Sequence, residues 1–380
     1  MRGRVPDHRN AATVTRVTDS GVNRPAPTAH GTRLAELTTL RLGGPARAVV
    51  RCPDTRSLVD EITALDARAE RTLLIGGGSN LVISDDGFDG TAVLIRSSRI
   101  EFGSGRESGR AYVTADAGVD WDTLVATTIE QGFGGLECLS GIPGAAGATP
   151  VQNVGAYGVE VADLLRSVQV FDRRAGQLRW AAPTELGLGY RTSSLKHRDD
   201  HVVVAVSFWL NDDRISQPLR YRELSAALGV DAGERADAGD VREQVLALRR
   251  GKGMVLDPDD HDTWSAGSFF TNPILPADEV GTLDRIHDRV GRDITVPTYP
   301  ADDGVKLSAG WLIERAGYAR GYPGPSSPVR LSTKHTLALT NRGDATTDEL
   351  LGLARDVRAG VQEAFGVTLH PEPVLVNCSI

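Results

Sequence analysis

Three short strings in this chain of 380 residues set a chemically capable side chain among small or stiff neighbours. In GLGYRTSSLKH, Arg191 follows two glycines and a tyrosine, where a planar guanidinium can grip a carboxylate through two N–H groups. Taken alone, the same arginine also fits the surface of a hairpin. In SAGSFFTNP, Ser268 comes after Gly267 and ahead of two aromatics and Asn272. No G-x-S-x-G elbow surrounds it and no His or acidic partner is recognisable, which argues against a hydrolase triad. Ser268 is left as a hydrogen-bond or proton donor, or as a plain turn serine. In LHPEPVLV, Glu372 lies between two prolines that stiffen its backbone, and its carboxylate is either functional or merely solvated. Tyr221 and Lys252 are further candidates for contact with an anionic small molecule.

Such residues need something to act beside. The stretch Cys138–Gly158, CLSGIPGAAGATPVQNVGAYG, carries no charge and holds five glycines among Ala, Ser, Thr, Pro, Gln and Asn. Small residues let a backbone approach a large ligand closely, and freed N–H groups can face phosphate or carbonyl oxygens. The run reads as a wall against a flat or phosphate-bearing cofactor; a buried, tightly turned connection is the alternative. A second glycine run, Gly76-Gly77-Gly78-Ser79-Asn80, follows the strand-like TLLI and suits a pyrophosphate or a simple tight turn. GSGRESG (Gly103–Gly109) imitates the dinucleotide fingerprint, but its last glycine falls one residue late and a strand follows it. It reads as a charged hairpin loop containing Arg106 and Glu107. With no full Rossmann pattern, a nucleotide enzyme here requires a different fold.

The elements that must carry these strings alternate. AVVRC, TLLI and AVLIR read as strands around a helix capped by Asp54 or Thr55 and bearing Leu58, Ile62 and Leu65. Asp120 caps WDTLVATTIEQG, SVQVF and LRWAA form a hairpin, and VVVAVSFWL is a long apolar strand. VREQVLALRRGKG reads as a helix whose terminal Arg249, Arg250 and Lys252 complement its dipole. VKLSAGWLIERAG reads as a helix stopped by Gly317, TLALT as a strand, and TTDELLGLARDVRAGVQEAFG as a helix capped by Thr346 or Thr347.

Composition narrows the classes. A hydrophobic fraction of 40% and a charged fraction of 24% suit a soluble globular protein of two or three domains. A net charge of -8 argues against nucleic acid as the main partner. Cys52, Cys138 and Cys378 are far apart and not in metal-ligand spacing, so reduced thiols in the cytoplasm and no metal site are expected. No apolar run reaches the ~18 residues of a membrane span. Residues 1–30 read as a disordered extension.

Taken in order, RLGGPA, IGGGSNLVI, GLECLSGIPGAAGATPVQNVGAYG, GYRTSSLKH, SAGSFFTNP, VKLSAGWLIERAG and HPEPVLV resemble the flavin-dependent UDP-N-acetylmuramate dehydrogenases, also called UDP-N-acetylenolpyruvoylglucosamine reductases. The pieces span about Leu40 to Val376. The resemblance implies an α+β protein: an FAD-binding domain of the vanillyl-alcohol-oxidase (PCMH) type built from two α/β subdomains, then an α+β substrate-binding domain. The implied boundaries are 31–252 for the first (subdomains 31–100 and 101–252), 253–367 for the second, and a strand over 368–380 returning to the FAD-binding part. FAD contacts are implied for Gly76, Gly77, Gly78, Ser79, Asn80, Gly141, Pro143, Gly144, Gly147, Ala148, Thr149, Gln152, Asn153, Gly155, Ala156 and Tyr157. Arg191, Ser268 and Glu372 match the family's catalytic positions, with Ser268 as proton donor to the substrate carbon next to the one that receives hydride from reduced FAD. Tyr221 looks like the tyrosine of the subgroup with an extra loop, and Lys252, Asn272 and His335 resemble substrate-site residues. NADPH as reductant, UDP-N-acetylglucosamine enolpyruvate as substrate, and a cytoplasmic monomer free of membrane and nucleic acid complete the expectation. The long acidic segment between Lys252 and Ser268 departs from the pattern and bears most on where Lys252 sits. Another flavoenzyme of the same fold and a flavin-free sugar-nucleotide regulator are the alternatives.

Overall fold

The computed structural model describes residues 32–105, 110–279, 281–301 and 304–380. The expected N-terminal extension, and Arg106 and Glu107 in the charged loop, lie outside those residues. The apolar run ARAVVRC forms a strand, Ala46–Cys52, and Asp54 starts the helix Thr55–Ala67 by accepting from the Ser57 N–H at 2.7 Å. That helix buries Leu58, Ile62 and Leu65 at helical spacing. Strands Ala46–Cys52, Phe88–Ile95 and Thr72–Ile75 lie side by side in that order, all parallel. The last of them delivers the chain into Gly76.

A five-stranded antiparallel sheet follows, in the order Gln177–Ala181, Leu165–Asp172, His201–Trp209, Ala111–Asp116, Ile100–Ser104. The last two strands are the hairpin expected around GSGRESG. Asp120 caps the helix Trp121–Glu130. The fully buried Trp121 indole sits edge-on to Phe208, with centroids 5.5 Å apart, and donates to the Leu139 carbonyl at 2.9 Å. An aromatic pair of this kind contributes ~0.5–1.5 kcal/mol beyond its buried area. Here it also ties the uncharged stretch to the core at its first turn.

The C-terminal part packs helices against small antiparallel sheets: Ile274–Pro276 with Gly304–Leu307 and Thr298–Ala301, and Val329–Leu331 with Leu339–Asn341. Its main helix, Thr347–Phe365, opens with a Thr346/Glu349 capping box and buries Leu350, Leu351, Val357, Val361 and Phe365. VKLSAGWLIERAG is not one helix. Gly304–Leu307 is a strand, and Ser308 then caps a short helix over Ala309–Arg315. The sequence pattern hid the break because Val305 and Leu307 fit either period.

One apolar core unites the helix Thr55–Ala67 with the five-stranded sheet, and a second fills the C-terminal part. The second core also takes in Leu40, Leu42 and Val82, far away in sequence. The strand Val374–Val376 returns the contact by pairing in parallel with Leu81–Ile83. Among the described residues no helix is long and apolar enough to cross a membrane.

Candidate functional site

The two glycine runs meet. A Cβ on Gly77 would lie 2.5 Å from the Gly144 Cα, so this contact exists only because Gly77 lacks a side chain. Gly78 has φ +66°, and its carbonyl accepts the Thr39 N–H at 3.2 Å. Arg96 donates to the Gly76 carbonyl at 2.7 Å, pinning the turn from behind. On the facing side, the Trp121 N–H bonds the Gly144 carbonyl at 3.0 Å and the Gly147 N–H bonds that of Ala117 at 2.9 Å. Asn80 closes the junction by donating to Gln152 Oε1 at 2.7 Å. Thr39, Gly77, Gly141, Pro143, Gly144 and Val255 line a cleft of about 260 Å³ along this seam.

Behind Gly141 stands Arg249. Instead of facing solvent at the end of its helix, it turns inward and donates to the Met254 carbonyl at 2.7 Å. Its Nε is buried without a hydrogen-bond partner, and burial pulls its pKa down to about 10. Asp122 holds the same corner by accepting the Gly141 N–H at 2.5 Å and a fork from Arg242 at 2.6 and 2.8 Å. These residues can hold a large, partly anionic cofactor. The seam is lined by backbone and small side chains, a Cβ at Gly77 would spoil it, and an unspent N–H on a buried cation lies beside it.

The uncharged stretch is not one wall from end to end. Asn153, at φ +46°, and Gly155 turn their carbonyls toward Arg191, which donates to them at 3.3 and 2.7 Å. Arg191 Nε lies 3.3 Å from Glu372 Oε1, and Arg191 Nη1 lies 3.9 Å from Glu160 Oε1. Burial pushes the Glu372 carboxyl above the ordinary carboxylate range, and Arg191 and Lys196 pull it back. The segment that holds Ser268 reaches this corner through the backbone pairing of its neighbours. The Phe269 carbonyl accepts the Glu372 N–H at 2.9 Å, and the Thr271 N–H bonds the His370 carbonyl at 3.0 Å. The proline-bounded segment therefore lies antiparallel to SAGSFF, bridging Phe270 to Pro371. Asn80 joins the cleft to this corner by donating to the Glu372 carbonyl at 3.4 Å.

A third cluster flanks them. Lys252 Nζ bonds Glu223 Oε2 at 2.7 Å and lies 6.0 and 5.9 Å from the rings of Tyr157 and Tyr221, which meet edge-on at 5.1 Å. Burial opposes the Lys252 charge, but Glu223 and the two tyrosines carry it above the ordinary lysine value. His335 is half-buried nearby. Its burial, helped by the charges of Lys252, Arg320 and Arg249, lowers its pKa to about 4, so it is neutral at pH 7. Asn272 sits apart from this cluster, accepting the Ala309 N–H at 2.9 Å beside the Tyr190 ring.

Arg191, Glu372 and the Ser268 segment thus converge; Lys252, Tyr221, Tyr157 and His335 form a neighbouring group; Gly76–Asn80 and Gly141–Gln152 share the cleft. Sequence reasoning missed four residues around them. Arg249 looked like a dipole-capping cation, and Arg96 carried no signal at all. Lys196 stood within a quoted string yet drew no role, although its Nζ donates to the Arg191 carbonyl at 3.0 Å. Glu137 is fully buried and accepts the N–H groups of Gly135 and Gln217 at 2.5 and 3.0 Å, anchoring the excursion that carries Tyr221.

Comparison with known proteins bears on this arrangement. Residues 46–182 match the profile of an FAD binding domain, and residues 257–376 match the C-terminal domain of UDP-N-acetylenolpyruvoylglucosamine reductase. The reductase of that name from Nocardia farcinica is 62% identical over 346 residues, covering 91% of this chain and 88% of that protein. The one from Mycobacterium tuberculosis is 52% identical over 362 residues, covering 91% and 95%. The crystal structure of the Thermus caldophilus enzyme matches with a TM-score of 0.60, covering 92% of this chain and all of that one. At 24% identity that match speaks for the fold alone.

Proposed function

This chain belongs to the UDP-N-acetylenolpyruvoylglucosamine reductase family and carries its FAD-binding domain, and from that premise we propose that it reduces UDP-N-acetylglucosamine enolpyruvate to UDP-N-acetylmuramate at the expense of NADPH. The observation that carries the reading is the meeting of Arg191, Glu372 and the Ser268 segment at one end of a glycine-lined cleft. In this reading residues 31–252 hold FAD and 253–367 cover the substrate, while 368–380 return to bring Glu372 beside Arg191. Gly76–Asn80 and Gly141–Gln152 hold the cofactor, Asn153–Tyr157 line its reactive end, and Arg249 lends a buried positive charge from behind Gly141. When bound, FAD supplies the hydride that the enolpyruvyl carbon receives.

The chain's own residues do the rest. Arg191 carries its charge where negative charge develops on the substrate carboxylate, and a preorganised donor of that kind is worth about 3–4 kcal/mol to a transition state. Ser268 hands a proton to the neighbouring carbon, which a hydroxyl can do because that carbon is then strongly basic. Glu372, half-buried against Arg191, keeps the guanidinium from turning away and shares its hydrogen bonds with the substrate carboxylate. Lys252 and Tyr221 grip the diphosphate, with neutral His335 alongside, while Asn272 meets the substrate from the Tyr190 side. The product is a precursor of peptidoglycan, made in the cytoplasm. The test is NADPH oxidation by the purified yellow protein. Oxidation that depends on the enolpyruvyl nucleotide is the expected result. Rapid consumption of oxygen without that nucleotide would favour an oxidase instead.

A further inference from the structure

Arg191 occupies an unusual place in the backbone. Gly189 and Thr192 exchange N–H···O bonds at 3.1 and 3.2 Å, so Tyr190 and Arg191 form the tip of a tight reversal. At its second tip position Arg191 has φ +53°, the left-handed region that residues with a Cβ seldom enter. Two surroundings hold it there. The guanidinium is spent on the Asn153 and Gly155 carbonyls and on Glu372, while the residue's own carbonyl points back and accepts Lys196 Nζ at 3.0 Å. Lys196 is only partly exposed, and among the described residues no carboxylate forms an ion pair with it. The groups around Glu372 are Arg191, Lys196 and Tyr190 from this loop and Glu160 behind Arg191. Lys306 joins from the opposite sheet, with its Nζ 4.4 Å from the centre of the Tyr190 ring.

We propose that Lys196 is a positioning residue for the reaction: its ammonium grips the Arg191 carbonyl, fixes the left-handed turn, and so aims the guanidinium at Glu372 and the substrate carboxylate. A neutral side chain in its place leaves the turn free to relax toward right-handed backbone, and Arg191 then swings off the carboxylate. The ammonium also adds a second positive charge on the side of the site where Glu372 is half-buried. The inference rests on the reading of the site as one for an enolpyruvyl or lactyl sugar nucleotide.

The experiment compares two ligands on the FAD-loaded protein by calorimetry: UDP-N-acetylmuramate, which has a lactyl carboxylate, and UDP-N-acetylglucosamine, which has none. Their affinity ratio reads the carboxylate grip separately from the nucleotide grip and from turnover. Lys196→Met is expected to shrink that ratio by about 10- to 100-fold, the worth of a charge-assisted contact, with the affinity for UDP-N-acetylglucosamine unchanged. Lys196→Arg is expected to restore most of it. If the Met variant does not fold, Lys196→Gln, which removes the charge and shortens the reach, must show the same loss. An unchanged ratio in the neutral variant overturns the proposal while leaving the functional reading intact. Equal loss of both affinities together with flavin also overturns it, because Lys196 would then be holding the fold. Failure of the wild-type protein to bind either nucleotide overturns the functional reading, and this inference with it.

Discussion

The cleft and the corner at its end are built on opposite plans. Around Gly77 and Gly144 cohesion comes from backbone and from missing side chains, with bonds from Arg96, Trp121 and Asn80 holding the turns from outside. Around Arg191 it comes from charge: two cations and two carboxylates, partly buried, share one small volume. A bulky cofactor that stays bound asks for close approach and little polarity. A reaction that develops charge asks for fixed charges that offset one another and do not move. The first plan is intolerant of added atoms, the second of removed ones.

That contrast can be attacked directly. Ser268→Ala is expected to slow flavin reoxidation by the enolpyruvyl nucleotide by ~10²–10⁴-fold while leaving flavin content and flavin reduction by NADPH near wild type. Equal slowing of both half-reactions would erase the division between corner and cleft. Arg191→Lys is expected to cost about 10²–10³-fold in the same half-reaction, because an ammonium cannot reproduce the fork held by Asn153, Gly155 and Glu372. A turnover number close to wild type would remove the guanidinium from the comparison. Gly77→Ala attacks the other plan. Its methyl meets the Gly144 Cα at 2.5 Å, and overpacking of that size weakens flavin retention by about tenfold or more. Flavin absorbance retained through dialysis would show that the cleft yields after all.

The smallest effect concerns His335, and it sharpens the comparison by asking how dry the site is. Its pKa falls from 6.5 to about 4 on folding, so the unfolded chain binds the extra proton in that window. The stability contributed by the neutral imidazole is therefore complete above 6.5 and lost as pH falls toward 4. His335→Gln is expected to flatten that part of the thermal-midpoint profile. An unchanged slope would mean that the imidazole meets water.

What could be seen in the sequence was mostly local. The cap Asp120 was legible, and Asp54 and Thr346 were legible to within one neighbouring residue, because a cap bonds an N–H three residues on. The cleft was legible from Gly76–Gly78 and the uncharged stretch because close approach leaves a compositional trace. The candidate strings were picked out by residue type, and their convergence came through resemblance, since the segments that hold Ser268 and Glu372 come together only by pairing about a hundred residues apart. Arg249 was misjudged for a related reason: a helix-terminal cation looks the same in sequence whether it faces water or a cleft. Lys196 was overlooked because its partner is a carbonyl, which every residue has.

The bond from Asn80 to the Glu372 carbonyl spans 292 residues, and the parallel pairing of Val374–Val376 with Leu81–Ile83 closes the same loop. Closing so large a loop adds little to the equilibrium cost, which rises only with the logarithm of length, but non-local pairings form slowly. The two glycine turns and the strands of the antiparallel sheet meet across no more than about a hundred residues. On refolding, the pairing that carries Glu372 is therefore expected to form after the contact between the two glycine turns.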